Sequence, residues 1–160
     1  MTSPADRLRE LGIELPAPPP PAASYVQTRL VGIGDGRSLL YVSGQISRDR
    51  DGVLTGRCPD EVSVEEATDR ARACGLSLLA QIEHAAGLDS VVEMAQLTGF
   101  VLCSDGFTDQ PKVINGASDL LVEVLGVSGR HTRMALGAHA LPLGATIEIA
   151  AVAVVRTPVT

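Results

Sequence analysis

The chain has 160 residues, 45% of them hydrophobic, enough for one core and with no sign of two domains of ordinary size. Its formal net charge is -6, with two Phe, two Tyr and no Trp, so it lacks both the basic footprint and the stacking platforms of a nucleic-acid binder. No apolar run approaches the ~18 residues of a membrane span. The first residues carry no basic-then-apolar secretory pattern either, so a soluble, cytoplasmic protein with neither nucleic-acid nor membrane partner is expected.

Residues 3–12 read as a short helix: Ser3 caps it, Pro4 suits its first position and Gly12 ends it. Residues 15–21 include Pro16, Pro18, Pro19, Pro20 and Pro21, which fix a stiff extended conformation. Residues 1–23 are thus an N-terminal helix with a Pro-rich extension, and residues 24–160 form the domain proper. Segments 25–33 and 39–46 flank the turn cluster 34–38 and predict a β-hairpin. The charged stretch 47–62 reads as a connecting loop with at most a short strand at 53–54.

Ser63-Val-Glu-Glu66 is a capping-box pattern. Behind it Val64, Ala67, Ala71, Cys74, Leu78, Ile82 and Ala85 recur every three or four residues, predicting a long amphipathic helix that ends at Gly87. Residues 91–103 are dense in β-prone types and predict a long or bulged central strand. After a turn at 104–108, a second helix is expected over about 108–126, with Val113, Ala117, Leu120, Leu121 and Val124 as its buried stripe. Gly116 lowers that helix's intrinsic stability by ~1 kcal/mol, and allows close packing.

In the last segment Ile147, Ile149, Ala151, Ala153 and Val155 alternate with Thr146, Glu148, Ala150, Val152 and Val154. Both faces are apolar, as in a buried strand. A carboxylate there needs a partner or a raised pKa. The nearest cation upstream is Arg133, next to the short apolar segment 134–138, which is expected to pair beside the last strand through the Leu-Pro-Leu-Gly turn. Arg133 and Glu148 are therefore the expected pair. The element order predicts an α+β layer, two helices on one face of a mixed sheet, with the other face covered by a second copy in a homo-oligomer.

The three cysteines, Cys58, Cys74 and Cys103, are widely spaced and read as free core thiols, with no zinc or redox spacing. Twelve arginines stand against one lysine, Lys112, which is expected on a solvated helix surface. Arginine binds carboxylates through its planar fork but exchanges no proton near neutral pH, so an arginine at a site is a binder. His84 is expected as a helix-end charge, and His131 and His139 as loop or surface residues beside Arg133 rather than catalysts.

The order Tyr25, Tyr41-Val-Ser-Gly-Gln-Ile46, Asn115, Arg133 eight residues before Leu141-Pro142, then Ile147-Glu-Ile149 resembles the RidA/YjgF family of reactive-intermediate (enamine/imine) deaminases. The likeness runs from about residue 24 to 155 and is most specific in its last block. It implies a chorismate-mutase-like (RidA-like) fold, a homotrimer with an inner barrel, and small-molecule clefts at the subunit interfaces. It also implies a 2-iminobutanoate/2-iminopropanoate deaminase-like hydrolase, which clears reactive 2-imino acids to 2-keto acids and ammonia without metal or organic cofactor. By position, Arg133 would grip the substrate carboxylate and Glu148 would sit near the attacking water. Tyr25 and Asn115 would line the cleft, and the backbone of Gly44 would border the ligand. Ala135 departs from the cysteine common in the deaminase subgroup, Met134 replaces a small hydroxylic residue, and the N-terminal extension is additional. These departures point to a divergent branch. The alternative function is a non-catalytic trimer that binds a small carboxylate-bearing metabolite.

Overall fold

Two capping boxes start helices where the sequence places them. In the computed structural model, which describes residues 2–157, Ser3 caps α1 (Pro4–Glu10) and Ser63 caps α2 (Val64–Ala86). Each hydroxyl accepts from the N–H of the residue three further on, Asp6 or Glu66, whose carboxylate returns a bond to the cap's own N–H. The first helix is docked rather than loose: Leu8, with Ile13 and Leu15 beyond the helix, packs against the core.

The hairpin joins β1 (Thr28–Gly34) to β2 (Arg37–Ile46) through Asp35 and Gly36, whose φ angles of 50° and 66° are the two positive values a type I′ turn requires. The first strand starts at Thr28, so Tyr25 lies outside the sheet ladder. The chain continues through α2, β3 (Val91–Leu102), α3 (Gln110–Leu125), β4 (Thr132–Ala138) and β5 (Ile147–Arg156).

The sheet order is β1-β2-β5-β3-β4. The twofold-apolar β5 lies at the centre, antiparallel to both β2 and β3. The expected pairing of β4 beside β5 does not form. With both edges of β5 occupied, β4 pairs in parallel with the outer edge of β3. The sheet is therefore mixed, as expected, but its one parallel pair is between strands joined by α3.

Helices α2 and α3 cover one face of this sheet. Their backbones meet at Gly116, where a β-carbon would stand 2.0 Å from Thr68 O, so only glycine permits this separation. Beneath them Leu78, Leu79, Leu97, Ile114, Leu120, Ile147 and Ile149 are fully buried. The opposite face is open and apolar: Tyr41, Met134 and Leu136 remain 45%, 48% and 45% exposed. No helix among the described residues is long and apolar enough to cross a membrane.

Candidate functional site

Register places the two expected partners on opposite faces of the sheet. Arg133 is level with Leu97, and Leu97 with Ala151, both buried under the helices. Glu148 is level with Phe100, and Phe100 with Leu136, whose side chain is on the open face. Arg133 and Glu148 thus form no ion pair within a protomer. A strand lies between theirs, and side-chain direction alternates along each strand.

Arg133 is instead held by α3. Its Nη1 donates to Asn115 Oδ1 at 2.8 Å and to Ser118 Oγ at 3.1 Å, and Nη2 donates to Pro111 O at 3.1 Å. All three acceptors are neutral, so none of them offsets the charge of the guanidinium. Three of its five N–H groups are used, leaving two, the number one carboxylate takes.

Behind this lies a relay that the sequence reading missed. His131 Nδ1 is 2.7 Å from Gly129 O, and a carbonyl only accepts, so Nδ1 carries the proton. In the neutral ring Nε2 then accepts from Ser118 Oγ at 2.9 Å, which turns that oxygen's lone pairs toward Arg133. The available signal was spacing: Asn115 and Ser118 are three apart on a helix and share a face.

Glu148 opens the second half of the candidate site. The β2–β5 register breaks between Val42 and Gln45, leaving Ser43 and Gly44 as a bulge beside the Glu148 carboxylate. Among the described residues the ion pairs are Arg9–Asp6, Arg72–Glu123 and Lys112–Glu65, so no cation offsets Glu148. Burial pushes its carboxyl above the usual value of 4.5. The carboxylate borders a cavity of about 630 Å³ that Tyr25, Gly44, Gln45, Arg48 and Leu143 also line. The five expected residues therefore fall into two clusters, Arg133 with Asn115, and Glu148 with Gly44 and Tyr25.

The remaining titratable groups take quieter places. Cys58, Cys74 and Cys103 are free and buried, and burial raises the thiol pKa of Cys58 and, more strongly, of Cys74. Lys112 is 64% exposed and 3.9 Å from Glu65. Among the described residues no cluster of three or more His, Cys, Asp and Glu is placed to hold a metal ion.

A mixed five-stranded sheet with two helices packed across one face defines a chorismate-mutase-like fold. The family model described as "YjgF/chorismate mutase-like, putative endoribonuclease" matches residues 5–154, and the chain belongs to that family. It is similar to Protein TCP17 of Trypanosoma cruzi, with 42% identity over 148 residues, 91% of this chain and 89% of that one. The crystal structure of Atu1372 from Agrobacterium tumefaciens, a protein of unknown function, superposes with a TM-score of 0.82 at 38% identity, covering 93% of this chain and 90% of that one. The crystal structure of E. coli TdcF with bound serine gives a TM-score of 0.59 at 27% identity, covering 87% and 93%. The chain path is thus nearer to Atu1372 than to TdcF.

Proposed function

We propose that the protein hydrolyses reactive 2-imino acids and their enamine tautomers to 2-keto acids and ammonia, as a homotrimer whose sheets form an inner barrel. In this reading Arg133 and Asn115 of one copy face the Glu148 pocket of the next, and each interface makes one cleft. The observation that carries the reading is the state of Arg133: three neutral acceptors orient it, its charge is uncompensated, and two N–H groups are left. Glu148, on the other face, forms no ion pair among the described residues. Each half supplies what the other lacks, and the exposed Tyr41, Met134 and Leu136 give a second copy an apolar surface to cover.

The chemistry follows from the charges. Arg133 binds the substrate's α-carboxylate through two parallel hydrogen bonds, fixing the adjacent iminium carbon. Glu148 takes a proton from a water as its oxygen bonds to that carbon and the C=N π pair moves to nitrogen. The resulting carbinolamine is protonated on nitrogen, its C–N bond breaks with the pair leaving on ammonia, and the hydroxyl proton is lost to give the keto acid. Burial suits Glu148 to the base role, because a raised pKa makes a stronger base. The reaction calls for no metal or organic cofactor.

RNA cleavage, which the family description names, is the weaker reading. The chain carries a net charge of -6 and only four aromatic residues, and its single lysine is on the surface beside Glu65. The non-catalytic alternative has one observation in its favour, that the TdcF structure is described with bound serine. An amino-acid oxidase that generates 2-imino acids in situ separates the readings. Accelerated imine decay that is lost in Arg133→Ala at unchanged oligomeric state supports the hydrolase. Saturable 2-keto acid binding without turnover replaces it by a binding module.

A further inference from the structure

The Pro-rich segment before β1 takes part in the Glu148 cavity. Pro19, Pro20, Ala22 and Ala23 line it together with Pro142 and Leu143. Two glutamines tie this strap down. Gln81 of α2, 2% exposed, donates Nε2–H to Pro19 O at 2.9 Å, and Gln27 donates Nε2–H to Pro20 O at 2.9 Å.

The direction of these bonds is fixed. A backbone carbonyl only accepts, so Pro20 decides which end of the Gln27 amide faces it. Gln27 Oε1 is then left to accept from Gln45 Nε2 at 2.9 Å, and Gln45 Nε2 also donates to Ser43 O at 2.9 Å. Donors therefore run one way from the bulge beside Glu148 to the strap: Gln45 to Gln27, and Gln27 to Pro20. Gln45 is 3% exposed, so this relay is anchored in the protein rather than on its surface. Proline suits such a wall, since it has no N–H to leave unsatisfied against an apolar ligand and its φ is already fixed.

We propose that the strap is the specificity-determining wall of the site, and that it favours 2-imino acids with a branched or ring-bearing apolar side chain over those with a methyl group or a distal carboxylate. The identity of the ligand rests on the deaminase reading. Gln27 lines the cavity itself and also positions the strap and the bulge, whereas Gln81 holds Pro19 without lining the cavity. Each methylene buried against such a wall is worth about a factor of four, so three extra carbons set a ceiling of about sixtyfold.

The experiment compares kcat/KM for imines generated from leucine, alanine and glutamate, in the wild type and in Gln27→Glu. That variant keeps the acceptor for Gln45 and turns the donor toward Pro20 into a carboxylate oxygen. The wild type is expected to prefer the leucine-derived imine over the alanine-derived one by about tenfold or more. In Gln27→Glu that ratio should fall about fivefold or more, and Gln81→Met, which releases Pro19 without touching the cavity, should lower it in the same direction while the alanine-derived value changes less than about twofold. Gln27→Leu, which adds no charge, should shift the ratio the same way and carries the test if the glutamate variant does not fold. An unchanged ratio, an equal fall for both imines, or a preference for the glutamate-derived imine, which Arg48 at the cavity would favour, overturns the inference.

If no imine is hydrolysed, the deaminase reading fails and calorimetry decides the wall. Tighter binding of 4-methyl-2-oxopentanoate than of pyruvate, weakened in the Gln27 variants, upholds it. Equal binding, or none, overturns it.

Discussion

A β-carbon built on Gly44 would stand 2.3 Å from Glu148 Oε1, so the bulge of β2 leaves the Glu148 carboxylate room that no other residue at this position would. The clashing atom is the far end of a flexible side chain, not backbone. Gly44→Ala should therefore displace the carboxylate while changing stability by less than about 1 kcal/mol. Imine hydrolysis should fall by about tenfold or more in kcat, since a misplaced base no longer reaches the attacking water. Parallel measurements of thermal unfolding and turnover check this.

Gly116 presents the opposite case. Alanine there would gain ~1 kcal/mol of helix propensity, yet its β-carbon would meet the Thr68 carbonyl at 2.0 Å, and that oxygen is a backbone atom that no side-chain rotation can move aside. Overpacking of this kind costs about 1–3 kcal/mol or more. Gly116→Ala is expected to lower Tm by several degrees through separation of α2 and α3, a sign opposite to propensity and readable by calorimetry.

The pH dependence follows from Glu148. Its pKa is raised above 4.5 by burial, so the carboxylate is lost as pH falls through that raised value and activity goes with it. In the substrate complex the α-carboxylate offsets Arg133, so the acidic limb of kcat should have its midpoint above 4.5. Glu148→Gln should abolish this limb together with most of the rate. In stability the sign is opposite: the raised acid favours the fold most below its unfolded value, and this contribution is lost as pH rises through the folded one.

Ser118 gives a split between binding and chemistry. Ser118→Ala leaves Arg133 Nη1 with Asn115 alone and strands His131 Nε2. A hydrogen bond to a charged group is worth about 1.5–3 kcal/mol, so KM should rise about tenfold or more with a smaller change in kcat. Ser118→Thr, which keeps the hydroxyl, should restore most of the affinity.

Local signals in the sequence carried the elements, while long-range pairing and scattered polar contacts lay beyond it. Ser63 and Glu66 announce α2 because a capping box is a four-residue pattern, and Asp35-Gly36 announces the hairpin because only such residues take both positive φ values readily. The two apolar faces of β5 marked it as a buried strand, and it is the middle one of the five. The position of β4 was not legible. The turn before β5 suggested a hairpin, but which edges of β5 remain free depends on β2 and β3, far away in the chain. The same error joined Arg133 to Glu148, which the register places on opposite faces of one copy. Ser118, Gln27 and Gln45 carry no periodicity of their own, and only their partners reveal them.

The central claim is that Arg133 of one copy and Glu148 of the next build a shared site, and subunit mixing tests it most directly. Arg133→Ala and Glu148→Gln proteins, each expected to be inactive on 2-imino acids, would be unfolded together, refolded as an equal mixture, and checked for mixed assemblies by differential tagging. If neighbouring copies share each site, random mixing restores both groups at about a quarter of the interfaces, and about a quarter of the wild-type activity returns. Mixed trimers that form and stay inactive would contradict the account.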